Sequence, residues 1–352
     1  MPIAAQRDPD QIRTALAAWL SVRLDHQVTV STLSRPVATG YSNDTLLFDA
    51  TWMTAGQTYV EAMVARIEPD GWAIFPDVDV GRQYDVMAAV AANCDAPLPA
   101  LIGREDDPAV MGAPFFVMEK VSGAVPGDSP PYHMAGWVTE ISSAERERMW
   151  WSAVEAMAEI HTIEPWSAQL GFLDVEADGA PGLDQRLTYY RRYLEWALDG
   201  GEHPVARAGL DWLATHQPDH EDVGLLWGDA RIGNMIFSEG ECRAVLDWEM
   251  ATLADPQADL AWFLFLDRHH SAGIGVARLD GFGDPNDTVR RWEQLTGRTA
   301  DQLPYYEVFA ATRFSVIMVQ VARMNIAYGV LPADSDLAVN NPCAGMLAEL
   351  LE

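Results

Sequence analysis

Asp229 and Asn234 stand five positions apart in the stretch LLWGDARIGNMIF, and Asp247 follows thirteen residues later in LDWE. Both Asp229 and Asn234 lie between short apolar runs that read as strands. Transfer of a phosphoryl group needs one side chain to orient and deprotonate the acceptor hydroxyl, and hard oxygen ligands to hold Mg²⁺ against the triphosphate. An Asp, an Asn five residues on and a second Asp at the end of the next strand supply that set, in the spacing of a kinase-type D-x-x-x-x-N loop followed by a metal-binding Asp. The bare spacing by itself reads first as a β-turn capped by Asn, so the surrounding sequence has to discriminate.

The elements that must hold these residues follow from periodicity. Asp8 to Leu24 reads as a capped helix, with Ile12, Leu16, Trp19 and Leu20 at helical spacing. Thr45–Asp49 and Tyr59–Ile67 read as strands around a turn near Ala55-Gly56-Gln57, and Pro114–Val121 as a buried strand. Val80–Asn93 is helical and ends before Pro97 and Pro99. Beyond a loop rich in Pro and Gly, Ser142–Ile163 forms a long helix whose Ser-Ser-Ala-Glu start offers a capping box. Asp184–Leu198, Ala258–Arg268, Asp287–Thr296 and Asp301–Tyr328 are further helices, with Leu225–Trp227, Met235–Phe237 and Ala244–Asp247 as short strands among them. The chain is β-rich first and helical afterwards. The expected organisation is an accessory helix over 1–27, a nucleotide-binding lobe over 28–121 and a helical lobe over 122–352.

The wider segments WGDARIGNMIF, AVLDWEMATLADPQADLAW and the upstream MAEIHTI together resemble the aminoglycoside phosphotransferase-like family, which also covers choline and macrolide kinases. The kinase-like domains fused to certain acyl-CoA dehydrogenases are the nearest in feel. GYSNDTLLF looks like the family's nucleotide loop and GAPFFVMEKVSG like its hinge strand, so the resemblance runs over roughly residues 30 to 330. It implies an α+β, protein-kinase-like bilobal fold and a Mg-ATP-dependent small-molecule kinase. By the same resemblance Asp229 is the catalytic base, Asn234 and Asp247 hold magnesium, and Asp259 accepts backbone N–H groups of the catalytic loop. His161 matches a helix-end histidine and reads as a satisfied core residue. Ser42, Asn43 and Thr45 in the nucleotide loop, with Glu119 and Val121 on the hinge strand, are the implied nucleotide contacts.

Several positions depart from the family pattern. Trp227 stands where the family often has a histidine, a place that supports the loop without moving a proton. The strand lysine that neutralises the α- and β-phosphates is absent, since Lys120, the chain's one lysine, lies in the hinge. Arg66 occupies the matching place and can grip two phosphate oxygens. Gln83 stands where an acid usually pairs with that basic residue; it accepts one hydrogen bond but neutralises nothing, and Asp79 one turn earlier is a possible substitute. The nucleotide loop lacks a full G-x-G-x-x-G, leaving backbone N–H groups and the Ser42 and Asn43 side chains for phosphate. Arg231, two residues after Asp229, either adds positive charge near the transferred phosphoryl group or binds an acidic neighbour such as Asp255.

Composition narrows the partners. The 352 residues carry 52 acids against 23 bases, a formal charge of −29, which disfavours nucleic acid and anionic membranes and favours cationic ligands unless acidity serves solubility alone. Cys94, Cys242 and Cys343 share no metal-like spacing, so no zinc site or disulfide framework is expected and a reducing cytoplasm fits. No apolar run approaches the ~20 residues of a membrane span, and no signal peptide is expected. The leading expectation is ATP-dependent phosphorylation of a hydroxyl on a small molecule, either aminoglycoside-like or a hydroxylated acyl or aromatic compound. The rival is a nucleotide-binding pseudokinase, supported by Gln83, Trp227 and the missing lysine. The aromatics Trp150, Trp151, Tyr189, Tyr190, Trp196 and Trp262 read mainly as core.

Overall fold

The computed structural model describes residues 8–36, 44–69 and 71–352, without the side chain of Glu176. The chain divides into two compact units, one comprising residues up to Ala88 with Pro99–Val121, the other Ala89–Leu98 with Ser122–Glu352.

The first unit opens with helix α1 (Pro9–Leu24), started by the Asp8 carboxylate, which accepts the Asp10 N–H, and by Pro9 in the first turn. Its buried stripe is Ile12, Leu16, Trp19 and Leu20, each worth about 1.5–3 kcal/mol of burial. Strands β1 (Thr29–Val30), β2 (Asp44–Thr54) and β3 (Gln57–Ile67) precede helix α2 (Val80–Asn93), and β4 (Leu101–Glu105) and β5 (Phe115–Glu119) follow it. They form a five-stranded sheet in the order β1-β2-β3-β5-β4, with every adjacent pair antiparallel. The β2–β3 hairpin is longer than periodicity predicts, because Ala55 and Gly56 both take left-handed φ (49° and 79°) in a two-residue turn that matches strand twist. The α1 stripe packs on Phe48, Ile67, Phe115 and Val117 of the sheet, with Trp19 edge-on to Phe115 at 5.1 Å.

The second unit contains helices α3 (Trp137–Glu140), α4 (Ser143–His161), α5 (Leu183–Leu198) and α6 (Pro204–Thr215), then strands β6 (Gly224–Leu226), β7 (Met235–Ser238), β8 (Glu241–Val245) and β9 (Thr252–Ala254), and helices α7 (Gln257–His269), α8 (Pro285–Thr296), α9 (Leu303–Ala327) and α10 (Pro342–Leu351). The strands pair as two small antiparallel ribbons, β6–β9 and β7–β8. The predicted capping box forms on α4, with Ser142 and Glu145 each bonding the other's backbone. The sequence reading leaves out α6, α10 and β9, although Ala206, Gly209, Leu210 and Leu213 of α6 stand at helical spacing behind Pro204. Helix α6 starts on an unusual cap, the His203 imidazole accepting the Ala206 N–H, and β9 is too short for an alternating pattern. Strand β8 stops at Val245, two residues before Asp247, whose backbone turns left-handed (φ 61°). Among the described residues no helix is long and apolar enough to cross a membrane.

Candidate active site

The second unit gathers Asp229, Arg231 and Asn234 on the loop between β6 and β7. Sharp turning at Gly228 shapes that loop: its φ is 96°, and a Cβ there would lie 2.1 Å from the Met250 carbonyl oxygen, so only glycine fits. Asp259, fully buried near the start of α7, accepts the Trp227 N–H at 2.7 Å and the Gly228 N–H at 3.1 Å. This is the buttress that the sequence leads one to expect. His161 supplies a third donor to Asp259, with Nε2 3.2 Å away. Its Nδ1 accepts the Trp292 indole N–H at 2.8 Å, which leaves the ring proton on Nε2 facing the carboxylate. Both His161 nitrogens are satisfied inside the core, as predicted. Trp227 is likewise a packing residue, its indole N–H donating to the Leu246 carbonyl at 2.8 Å.

The Asp229 carboxylate is held from three sides. Oδ1 accepts the Trp262 indole N–H at 2.7 Å; Oδ2 accepts Asn234 Nδ2 at 2.6 Å and Arg231 Nε at 3.1 Å. Burial by itself would raise its pKa, but the Arg231 charge and the donors from Trp262, Arg231 and Asn234 outweigh burial and hold it below the ordinary carboxylate value. Asp229 is thus an ionised, oriented acceptor. Arg231 pairs with Asp229 and, on its other side, with Asp128. The sequence reading offered Asp255 as the acidic neighbour; instead Asp255 binds the backbone and side chain of Gln257. The Pro/Gly-rich loop brings Asp128 to Arg231 across more than a hundred residues of sequence, which no local pattern reveals. Burial opposes the Arg231 charge, but the two carboxylates prevail and its pKa is raised.

Asn234 spends its amide N–H on the carboxylate and the main-chain carbonyl of Asp229. Its Oδ1 makes no hydrogen bond with any described residue, and Asp247 lies beyond β8, which pairs with the β7 strand that starts right after Asn234. An amide oxygen and a carboxylate are hard donors of the kind Mg²⁺ takes while keeping waters and phosphate oxygens for its other positions. Asn234 and Asp247 therefore fit that ion. No group of three His, Cys, Asp or Glu among the described residues makes an all-protein metal cage.

In the first unit, Thr45 on β2 and Arg66 on β3 are register partners, with Arg66 Nη1 donating to Thr45 Oγ1 at 3.3 Å. Glu119 ends β5, the strand that pairs with β3, and Val121 follows two residues later. Gln83 is buried on α2. The carboxylate of Asp79, its possible substitute, accepts the Arg82 backbone N–H at 2.8 Å. Ser42 and Asn43 lie outside the described residues.

Two residues at Asp229 escape the sequence reading. Trp262 is grouped there with core aromatics, yet its one polar atom bonds the loop carboxylate. Arg313 donates to the Gly228 carbonyl and stacks on Trp262 with its guanidinium 4.0 Å from the ring centroid. Its signal is a lone charge in the apolar run VFAATRFSVIMV of α9.

The β-rich first unit and the helical second unit with its short-stranded loop make a mixed α+β, protein-kinase-like fold, shared with solved aminoglycoside and macrolide phosphotransferases. A Ralstonia eutropha structure provisionally assigned as an aminoglycoside phosphotransferase aligns over 96% of this chain and 95% of its own, at 27% identity and a TM-score of 0.67. Aminoglycoside phosphotransferase APH(4)-Ia, in a ternary complex with ADP and hygromycin B, aligns over 96% and 98% at 15% identity and a TM-score of 0.55. Residues 34–295 match the phosphotransferase enzyme family, and the chain belongs to it. Among curated relatives, human acyl-CoA dehydrogenase family member 11 is 30% identical over 210 residues, 59% of this chain and 25% of that protein. The chicken protein of the same name is 32% identical over 237 residues, 65% of this chain and 27% of that one. The chain thus spans only about a quarter of the length of these relatives.

Proposed function

We propose that this phosphotransferase-family protein transfers the γ-phosphoryl group of Mg-ATP to a hydroxyl of a small molecule. The observation that supports this most is the setting of Asp229: its carboxylate is fixed by three donors and lies next to an Asn234 oxygen that hydrogen-bonds to no described residue. Asp229 accepts the hydroxyl proton as the acceptor oxygen attacks, and Trp262 and Asn234 keep its carboxylate in one orientation throughout. Asn234 and Asp247 hold magnesium, which when bound neutralises charge on the phosphate oxygens. Arg231, restrained by Asp128, presents its remaining N–H groups toward the transferred group. Arg66 with Thr45, and Ser42, Asn43, Gln83, Glu119 and Val121, take the nucleotide. The complexes of solved neighbours with ADP, and with AMP-PNP, support a nucleotide substrate.

The rival reading, a nucleotide-binding module without an acceptor, draws on Gln83 in place of an acid. Replacing Asp229 with Ala separates the two. On the proposed function Asp229→Ala abolishes turnover and retains Mg-ATP binding, while Asp247→Ala loses metal-dependent binding. Full phosphorylation of an acceptor by Asp229→Ala would remove Asp229 as the base. Absence of any Mg-dependent ADP release from the wild-type protein across a panel of hydroxylated compounds, with Mg-ATP binding intact, would favour the module.

A further inference from the structure

We propose that the second unit binds a carboxylate of its acceptor in a donor-lined cavity beside Gly228, which makes the acceptor an anionic hydroxy compound and not a polycation. The proposal rests on the phosphotransfer reading above. The polar side chains lining this partly open cavity are those of Arg186, Tyr190, Thr252 and Arg313; the rest of its wall is apolar side chains and Gly228. No carboxylate lines it, in a chain with 52 acidic residues.

Arg313 carries the argument. Only 4% exposed, it forms no ion pair with any described residue; its contacts are the Gly228 carbonyl, the Met250 sulfur and the faces of Trp262, Tyr190 and Phe309. Its Nε has no hydrogen-bond partner. A guanidinium buried without a counter-ion is destabilising, and a carbonyl with an indole face offsets only part of that. The Tyr190 and Thr252 hydroxyls, both on buried side chains, also make no hydrogen bond among the described residues. The cavity measures about 10 Å³, close to what one water-sized atom needs. It admits one carboxylate oxygen, with the remainder of the group at the mouth. Tyr190 and Thr252 donate their hydroxyl protons to that oxygen, and the Arg313 charge supplies the counter-ion.

Position links the cavity to the chemistry. Gly228 immediately precedes Asp229, and Trp262, on which Arg313 stacks, donates to Asp229 Oδ1. An acceptor anchored through its carboxylate therefore carries its hydroxyl toward Asp229. The overall charge of −29 favours cations at long range, but salt screens that field within about 10 Å, whereas buried charges a few ångströms from the ligand are screened far less.

The test uses the full chain and two substitutions that remove one hydroxyl each, Tyr190→Phe and Thr252→Val. Butyrate is titrated calorimetrically at fixed ionic strength, and Mg-ATP is titrated separately. ADP release is then compared for 3-hydroxybutyrate and its neutral amide. The expected result is butyrate binding that weakens about tenfold in each variant, the loss of one hydrogen bond to a charged group, with melting temperature and Mg-ATP binding retained. ADP release is expected with the hydroxy acid and to fall at least tenfold with the amide. Butyrate binding that is absent from the wild type, unchanged in both variants, or matched by chloride would overturn the carboxylate site while leaving the phosphotransfer reading intact. Loss of Mg-ATP binding by the wild type would instead remove that reading, and this proposal with it.

Discussion

Replacing Trp262 with Phe removes a single polar atom from the candidate site, the indole N–H that sits 2.7 Å from Asp229 Oδ1. A hydrogen bond to a charged group is worth about 1.5–3 kcal/mol, and 1.36 kcal/mol corresponds to one pKa unit. The full loss would therefore raise the Asp229 pKa by about 1–2 units. Arg231 and Asn234 remain on the other oxygen and the carboxylate can relax toward them, so we expect about one unit. Because the base acts only when ionised, the acid limb of the ADP-release profile moves upward in pH by that amount, with the plateau rate reduced less than the rate on the limb. A second readout does not depend on turnover. A carboxyl whose folded pKa is depressed contributes stability that is present above its unfolded pKa and is lost as pH falls through the folded value. In Trp262→Phe that contribution shrinks and is lost at higher pH than in the wild type, measurable by urea unfolding below about pH 5. The buried indole also packs under Arg313, so a pH-independent loss of about 2 kcal/mol is expected on top. An acid limb and an acid-range stability profile that both keep their wild-type positions would refute the claim that Trp262 sets the ionisation of Asp229.

Other perturbations test the supports of the loop. Asp259→Asn places an amide N–H₂ among three donors and should lower stability by about 2–4 kcal/mol in urea unfolding; a loss under 1 kcal/mol would contradict the buttress role. Gly228→Ala meets the Met250 carbonyl as well as an unfavourable φ, and the expected outcome is a loss of more than about 3 kcal/mol or no soluble folded protein. Glu221, pushed up to about 7 chiefly by burial, accepts the Leu183 N–H at the start of α5. Its folded pKa is raised, so the stability it contributes is full below its ordinary value and is lost as pH rises toward 7. Discounted for partial exposure, the loss is about 1–2 kcal/mol, and Glu221→Gln should flatten the profile across that window.

The sequence by itself determined the parts of this protein that depend on neighbours along the chain. The α1 stripe, the α4 capping box and the β2–β3 turn are local patterns, and each forms near its predicted place. The Asp229–Asn234 spacing is also local, because one tight loop between two short strands sets it, and the resemblance carried by WGDARIGNMIF and ADPQADLAW was enough to name the fold. Tertiary structure decided everything that depends on a distant partner. Asp128 reaches Arg231, Trp262 reaches Asp229, and Arg313 reaches Gly228 from segments 33 to 103 residues away. Short elements behaved in the same way: β9 exists because β6 pairs with it, and α6 starts on a histidine cap that no propensity rule favours. Periodicity can say that Trp262 and Arg313 sit on helices. Which polar atom each of them satisfies depends on how α7 and α9 pack around the loop, and that packing turns a weak five-residue spacing into an oriented carboxylate.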